Sequence, residues 1–340
     1  MAEPTYPGAD AGVAALVDVL RRIDPGRPSR AVMGSGHYAN VLRLDERRGL
    51  ALSTDGVGTK LIVAHQLGRF DTVGIDCVAM NVNDVVCVGA EPIALLDYIA
   101  VEEADPSVLG AVAEGLRRGA EDAGVEIPGG ELAVVPEMVR GLDLVGACIG
   151  IVELSEIVTG SEIQPGDALI GLPASGVHSN GLTLARGALP DLGERPPELG
   201  EASVGETLLE PTVIYVRAVL GLLRSGVEAR GLAHITGDGL LNLLRLEADV
   251  GYRVSDPLPR SPVFDLIAAR GSVSEAEMHE VFNLGCGFVC VVPPTGAAEA
   301  LAMLAELHPG AAVIGEATDR AGVVEVAGLS GRLGAGFSGS

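Results

Sequence analysis

Apolar positions recur along this chain at two periods, and each change of period marks an element. Short runs of Leu, Val, Ile and Ala predict strands at residues 50–54, 144–152, 168–172, 288–292 and 312–314. Residues 73–88 carry Ile75, Val78, Ala79, Val82, Val85 and Val86 at helical spacing. So many β-branched side chains make a poor isolated helix, so tertiary packing must hold this one. Asp105-Pro106 supplies a cap and a first-turn proline, Val108, Leu109, Val112 and Leu116 trace one face, and Gly124 stops the helix. Residues 299–307 predict a further helix, ended by Pro309-Gly310, and apolar helix starts lie at 182–185 and 240–246. Polar residues and a Pro-Gly pair at 159–166 suggest a boundary, dividing the chain into domains 1–160 and 161–340. The stretch 190–206, rich in Pro, Gly and Glu, reads as an exposed loop. Strands alternating with helices fit α/β or α+β architecture.

Composition narrows the function. At 340 residues and 48% hydrophobic, the chain folds around a sizeable core. No run approaches the roughly 20 apolar residues of a membrane span, and the acidic opening Met1 to Asp10 lacks the features of a secretion leader. Five scattered cysteines, Cys77, Cys87, Cys148, Cys286 and Cys290, form no CxxC pair and suit buried thiols in a reducing cytoplasm. Cys286 and Cys290 read as packing residues at a turn entering a strand. A net charge of −23 excludes general binding of nucleic acid or anionic membrane. With no Trp and 3% aromatics, stacking platforms for single strands are excluded too.

The candidate chemistry begins at Asp55-Gly56-Val57-Gly58-Thr59-Lys60, directly after the first strand. Glycines let backbone amides approach anionic oxygens, lysine supplies a point charge, and aspartate can hold magnesium. The spacing is neither a Walker loop nor a dinucleotide fingerprint; a hairpin with an Asp-Gly turn is the plainer alternative. Lys60 is the chain's only lysine. The apolar helix 73–88 carries Asp76, Asn81, Asn83 and Asp84, which need partners if buried. Asp76 reads as structural; the Asn83-Asp84 pair fits either a structural or a functional role. Pro128-Gly129-Gly130-Glu131 reads as a turn ending a strand at 125–127, and adds a third acid to Asp55 and Asp84 for oxygen-liganded Mg²⁺. Ser175-Gly176-Val177-His178-Ser179-Asn180-Gly181 is not a hydrolase elbow. It suits either anion binding at a helix start or plain capping. His234-Ile235-Thr236-Gly237-Asp238-Gly239 forms a similar polar corner, while His65, His279 and His308 stand alone as surface or structural groups.

Taken in order, STDGVGTK (53–60), DTVGIDCVAMNVNDVVCVGAEP (71–92), GGE (129–131), SGVHSNG (175–181), HITGDG (234–239) and FNLGCGF (282–288) resemble the phosphoribosylformylglycinamidine cyclo-ligase family. Asp10-Ala11-Gly12-Val13 is similar to that family's N-terminal segment. The resemblance implies an α/β N-terminal domain contributing strands to a dimer-spanning β-barrel, beside a C-terminal α+β domain. It implies ATP-dependent closure of formylglycinamidine ribonucleotide to aminoimidazole ribonucleotide in a cytoplasmic homodimer. It also implies roles. Asp55, Asp84 and Glu131 would hold magnesium–ATP, assisted by Asn83 and by Gly56, Gly58, Thr59 and Gly130. Lys60 would neutralise the phosphates, and His178, Ser179 and Asn180 would contact phosphate groups. Three features depart from the family pattern: Leu132 replaces a threonine after GGE, the glycine-rich loop Met33 to Asn40 is thin, and Asp238 replaces a glycine. Selenophosphate synthetase and the hydrogenase-maturation relative fit less well, because the cysteines they would need are missing from the N-terminal loop and the C-terminal end. Thiamine-phosphate kinase would show a Gly-Asp-Asp motif that is absent. A nucleotide-binding regulatory module without turnover, or a paralogue acting on another ATP-activated amide, are the alternatives.

Overall fold

The computed structural model describes residues 9–34 and 36–339. Most of the opening Met1 to Asp10, together with Ser35 of the glycine-rich loop and the terminal Ser340, lies outside them. The first half comprises α1 (Ala9–Leu20), β1 (Asn40–Arg43), β2 (Arg48–Gly56), α2 (Lys60–Leu67), α3 (Val73–Val86), β3 (Glu91–Val101), α4 (Pro106–Ala123), β4 (Glu126–Val134) and β5 (Leu142–Glu153). Its five strands form one sheet in the order β1-β2-β5-β3-β4, antiparallel except for the parallel pair β3–β4. That parallel pair needs a crossover, which α4 supplies. Asp105 caps α4 by accepting from Ser107 N at 2.8 Å, and Gly124 ends it in the left-handed region.

The second half comprises β6 (Ala168–Pro173), α5 (Leu182–Ala188), α6 (Val204–Leu208), α7 (Val216–Ser225), β7 (Gly231–His234), β8 (Gly251–Val254), α8 (Pro262–Gly271), α9 (Glu275–Val281), β9 (Cys286–Val292), α10 (Ala297–Leu307), β10 (Ala312–Thr318), β11 (Val324–Val326), β12 (Leu329–Arg332) and β13 (Gly336–Gly339). Its strands form an eight-stranded mixed sheet, β13-β12-β11-β8-β10-β6-β9-β7. The helix expected at residues 240–246 is instead a 3-10 helix, Gly239–Arg245. The 190–206 stretch is largely loop, though its end is anchored: Ser203 and Glu206 form a reciprocal capping box on α6.

One face of the five-stranded sheet packs on α3, burying Ala51, Leu95, Leu144 and Cys148. The opposite face is open. Leu50 and Leu52 on β2, Val145, Ile149 and Ile151 on β5, and Leu96 and Tyr98 on β3 share it by register and alternation. Leu96 and Tyr98 are 43% and 44% exposed, a large apolar area to leave in water.

The GGE segment departs from expectation. It is no turn: β4 continues through it after a register shift between Glu126 and Gly129, pairing Gly129 with Leu96, Gly130 with Asp97 and Glu131 with Tyr98. The strand requires glycine at position 130 because the Asp97 carboxylate leans across it. A Cβ on Gly130 would lie 2.5 Å from Asp97 Oδ1.

Candidate active site

The two halves meet along α3, whose polar residues divide by direction. Asn81 turns to the sheet. Its side-chain oxygen accepts from Asp55 N at 2.9 Å, while its amide donates to the Asp55 carbonyl at 3.1 Å and the Cys77 carbonyl at 2.8 Å. The amide thus fixes the end of β2 as a paired strand would. Gly146 opposite makes room, since a Cβ there would lie 2.5 Å from Asn81 Nδ2. The Asp55-Gly56 pair therefore belongs to the strand, and the turn follows at Val57 to Thr59, with Gly58 at φ +68°.

With its backbone held, the Asp55 carboxyl projects on the α3 side and accepts from Gly56 N at 2.8 Å. Burial first, and the nearby charge of Asp84 second, raise its pKa above the usual carboxylate value. Asp84 is half-buried on α3 and pairs with His234 at the end of β7, Nδ1 to Oδ1 2.9 Å. Residues 234–239 then turn over this pair. Asn242 accepts from Thr236 N at 2.7 Å and donates to the Gly237 carbonyl at 3.0 Å. Asp238 stands at φ +72°, where the family pattern has glycine, with Arg245 4.0 Å away. From the glycine-rich loop, His37 contacts the Thr159 carbonyl at 3.3 Å, and burial lowers its pKa. Tyr38 donates to the Asn242 carbonyl at 2.8 Å.

The other expected site residues divide sharply. Thr59 meets Thr183 of α5, Oγ1 to Oγ1 3.3 Å, and the Asn180 side chain lies beside Gly237. These bring the 56–59 turn, the 175–181 loop and the 234–239 corner together. Asn83 is not free for a nucleotide: it is fully buried, accepting from Tyr215 N at 3.0 Å and donating to the Val213 carbonyl at 2.9 Å. Lys60 is 0% exposed and donates to Asp76 Oδ1 at 2.9 Å and the Glu210 carbonyl at 2.6 Å. Its ammonium is neutralised inside the fold. His178 is buried with φ +57°, and its Nε2 accepts from Ser175 N at 3.2 Å. Burial above all, then the charges of His234 and Lys60, holds its pKa well below the usual value, so the ring is neutral. It props the loop from beneath. Ser179 donates to Asp76 at 3.1 Å.

Glu131 stands apart within one chain. Asp55, Gly146, Asp97 and Gly130 form one cross-strand row, which places Glu131 on the opposite, open face, about 14 Å away across three strand spacings. Among the described residues, no three His, Cys, Asp or Glu side chains are grouped to hold a metal. The expected trio therefore reduces to Asp55 and Asp84 in a single protomer. Sequence reading missed Asn81 and His234 as site-forming groups. The polar, glycine-rich 234–239 corner was the available signal for His234; nothing in the sequence distinguished Asn81 from its polar neighbours.

The chain is similar to known proteins over most of its length. The profile of AIR synthase related protein, N-terminal domain, matches residues 36–152, and that of the C-terminal domain matches residues 164–327. The phosphoribosylformylglycinamidine cyclo-ligase of Methanothermobacter thermautotrophicus is 48% identical over 93% of this chain and 91% of its own. That of Thermococcus gammatolerans is 50% identical over 86% and 85%. Among solved structures, hydrogenase maturation protein HypE is similar with a TM-score of 0.61 at 24% identity, covering 90% of this chain and 91% of its own. AaThiL complexed with AMPPCP and TMP is similar with a TM-score of 0.64 at 16% identity, covering 94% of each chain. At such identities these structures speak for the shared two-domain fold alone, whereas the profiles and the close relatives place this chain in the phosphoribosylformylglycinamidine cyclo-ligase family.

Proposed function

We propose that this chain catalyses ATP-dependent closure of formylglycinamidine ribonucleotide to aminoimidazole ribonucleotide, releasing ADP and phosphate, as its relatives' name describes. The observation that carries the site assignment is the Asp55–Asp84 pair with His234 on Asp84. Two adjacent carboxylates, one with a raised pKa, are a poor arrangement alone and a good one around a divalent cation carrying phosphates. Asp55 and Asp84 would hold Mg²⁺, which neutralises phosphate charge when bound. The amides of Gly58 and Thr59 and the 175–181 loop, with Asn180, supply donors to phosphate oxygens.

An amide oxygen is a poor leaving group. Transfer of the γ-phosphoryl group to the formyl oxygen converts it to an iminophosphate; the amidine nitrogen then attacks the formyl carbon, closes the ring and expels phosphate. The protein's part is positioning and charge stabilisation. His234, fully buried between Asp84 and Asn83, orients the Asp84 carboxylate.

We divide the chain into domains 1–160 and 161–340, a reading supported by separate profile matches to residues 36–152 and 164–327. The working form is a cytoplasmic homodimer. A second copy covering the open face of the five-stranded sheet would complete a barrel and bury Leu96 and Tyr98, on the scale of more than ~2,000 Å² expected of obligate interfaces. No described helix is long and apolar enough to cross a membrane. A coupled assay of ring closure tests the reaction, with ATP alone as control; no substrate-dependent phosphate release would refute it. Light scattering tests the dimer: Tyr98→Asp should give monomers, and a monomeric wild type at micromolar concentration overturns the assembly.

A further inference from the structure

Helix α3 carries a second polar cluster that the proposed chemistry does not use. Asp76 is fully buried, and its Oδ1 accepts from Lys60 Nζ at 2.9 Å, Thr212 N at 2.8 Å, Thr212 Oγ1 at 2.7 Å and Ser179 Oγ at 3.1 Å. Its Oδ2 has no hydrogen-bond partner among the described residues. The donors come from three segments: the start of α2, the 175–181 loop and the extended stretch 210–215. Asn83, seven residues along the same face of α3, holds the far end of that stretch through Val213 and Tyr215. Ser175 Oγ donates to the Pro211 carbonyl at 2.6 Å, tying loop to stretch.

Stability alone does not account for this. Withdrawing two charges from water costs several kcal/mol each, and apolar side chains of similar volume often serve as well. What an ion pair adds is direction. Ser179 adjoins Asn180, which lies beside Gly237 of the corner that begins at His234. We propose that Asp76 is a positioning residue. Charge-compensated by Lys60, it holds Ser179 and Thr212 and so sets the 175–181 loop against the Asp55–Asp84 pair. The inference rests on the reading of that cleft as the ATP site. Misplacing the loop would cost the transition state more than ground-state binding, since phosphoryl transfer depends on alignment.

The test is a double-mutant cycle on Asp76→Asn, Thr212→Val and Ser179→Ala in the full-length enzyme. Asp76→Asn should lower kcat at least tenfold while the KM for ATP changes less than threefold. Thr212→Val, which leaves no buried charge unpaired, should show a smaller effect of the same kind. Ser179→Ala added to Asp76→Asn should cost little more than Asp76→Asn alone, because both act through one tie. Should Asp76→Asn not fold, Thr212→Val, Ser179→Ala and their double variant carry the same cycle. Folded variants with kcat within twofold of wild type overturn the proposal, as do strictly additive losses. If the wild type closes no ring, the functional reading fails instead. Hydrogen exchange then decides the tie: amides of 175–181 should exchange at least tenfold faster in Thr212→Val with β5 unchanged, and unaltered exchange overturns it.

Discussion

Asp55 shows how the fold pays at one residue for what the site requires. Its pKa in the folded chain lies above that of the unfolded chain, because burial and Asp84 disfavour the charged form. The penalty is full above the folded value and disappears as pH falls below the unfolded value of about 3.9. Asp55→Asn should therefore raise the unfolding temperature at pH 7 in the absence of nucleotide, while lowering ring closure about a hundredfold or more. Calorimetry and the coupled assay together check both signs. Lys60 gives the converse case. Lys60→Met leaves the Asp76 carboxylate buried without its counter-charge and should cost about 3–5 kcal/mol, measured as a lower urea midpoint. Adding Asp76→Asn should restore much of that loss. These two residues also mark what the sequence could disclose. Asp55 stands out in the sequence because a carboxylate beside glycines at a strand end has few uses. The burial of Lys60 was not legible there, since its partner Glu210, and the Thr212 and Ser179 that bond its counter-charge Asp76, lie more than a hundred residues away and only the docked second half brings them near.

At the scale of elements, periodicity served well where a helix had one buried face and ordinary caps. Both α3 and α4 lie where apolar spacing and the Asp105 and Gly124 signals place them. Their contact is closer than the sequence suggests. A Cβ on Gly74 would lie 2.2 Å from Leu116 N and 2.5 Å from Val112 O, backbone atoms that cannot rotate aside. Gly74→Ala should separate the helices and destabilise the fold at the upper end of roughly 1–3 kcal/mol, read by chemical denaturation. An unchanged midpoint would mean that α4 shifts freely. The GGE strand was misread for a related reason. Pro-Gly-Gly is ordinarily turn chemistry, but here glycine answers to Asp97 on the neighbouring strand, a contact that no local pattern encodes.

Across the whole molecule, the order of motifs made the two-domain fold legible, while the charge balance of its interior did not show in the sequence. Burial depresses the pKa of His37, His178, His279 and His308, most strongly for His178. In the unfolded chain these rings titrate near 6.5. Above that value both states are neutral and the stability is fully present. Below it the unfolded chain takes up protons that the native rings refuse, so stability falls as pH falls, until the folded values are reached. Each ring contributes about 1.4 kcal/mol per pH unit inside its window. Relief of self-repulsion in a chain of net charge −23 acts the other way, but it waits on carboxylates that titrate mostly below about pH 5. The interval from about 6.5 to 5.5 therefore belongs to the histidines. Urea midpoints should drop across it, and His178→Asn should flatten the drop, since asparagine tolerates the left-handed backbone at φ +57°. An identical slope in the variant would mean that His178 takes its proton inside the fold, and that the ring beneath the 175–181 loop is solvated rather than sealed.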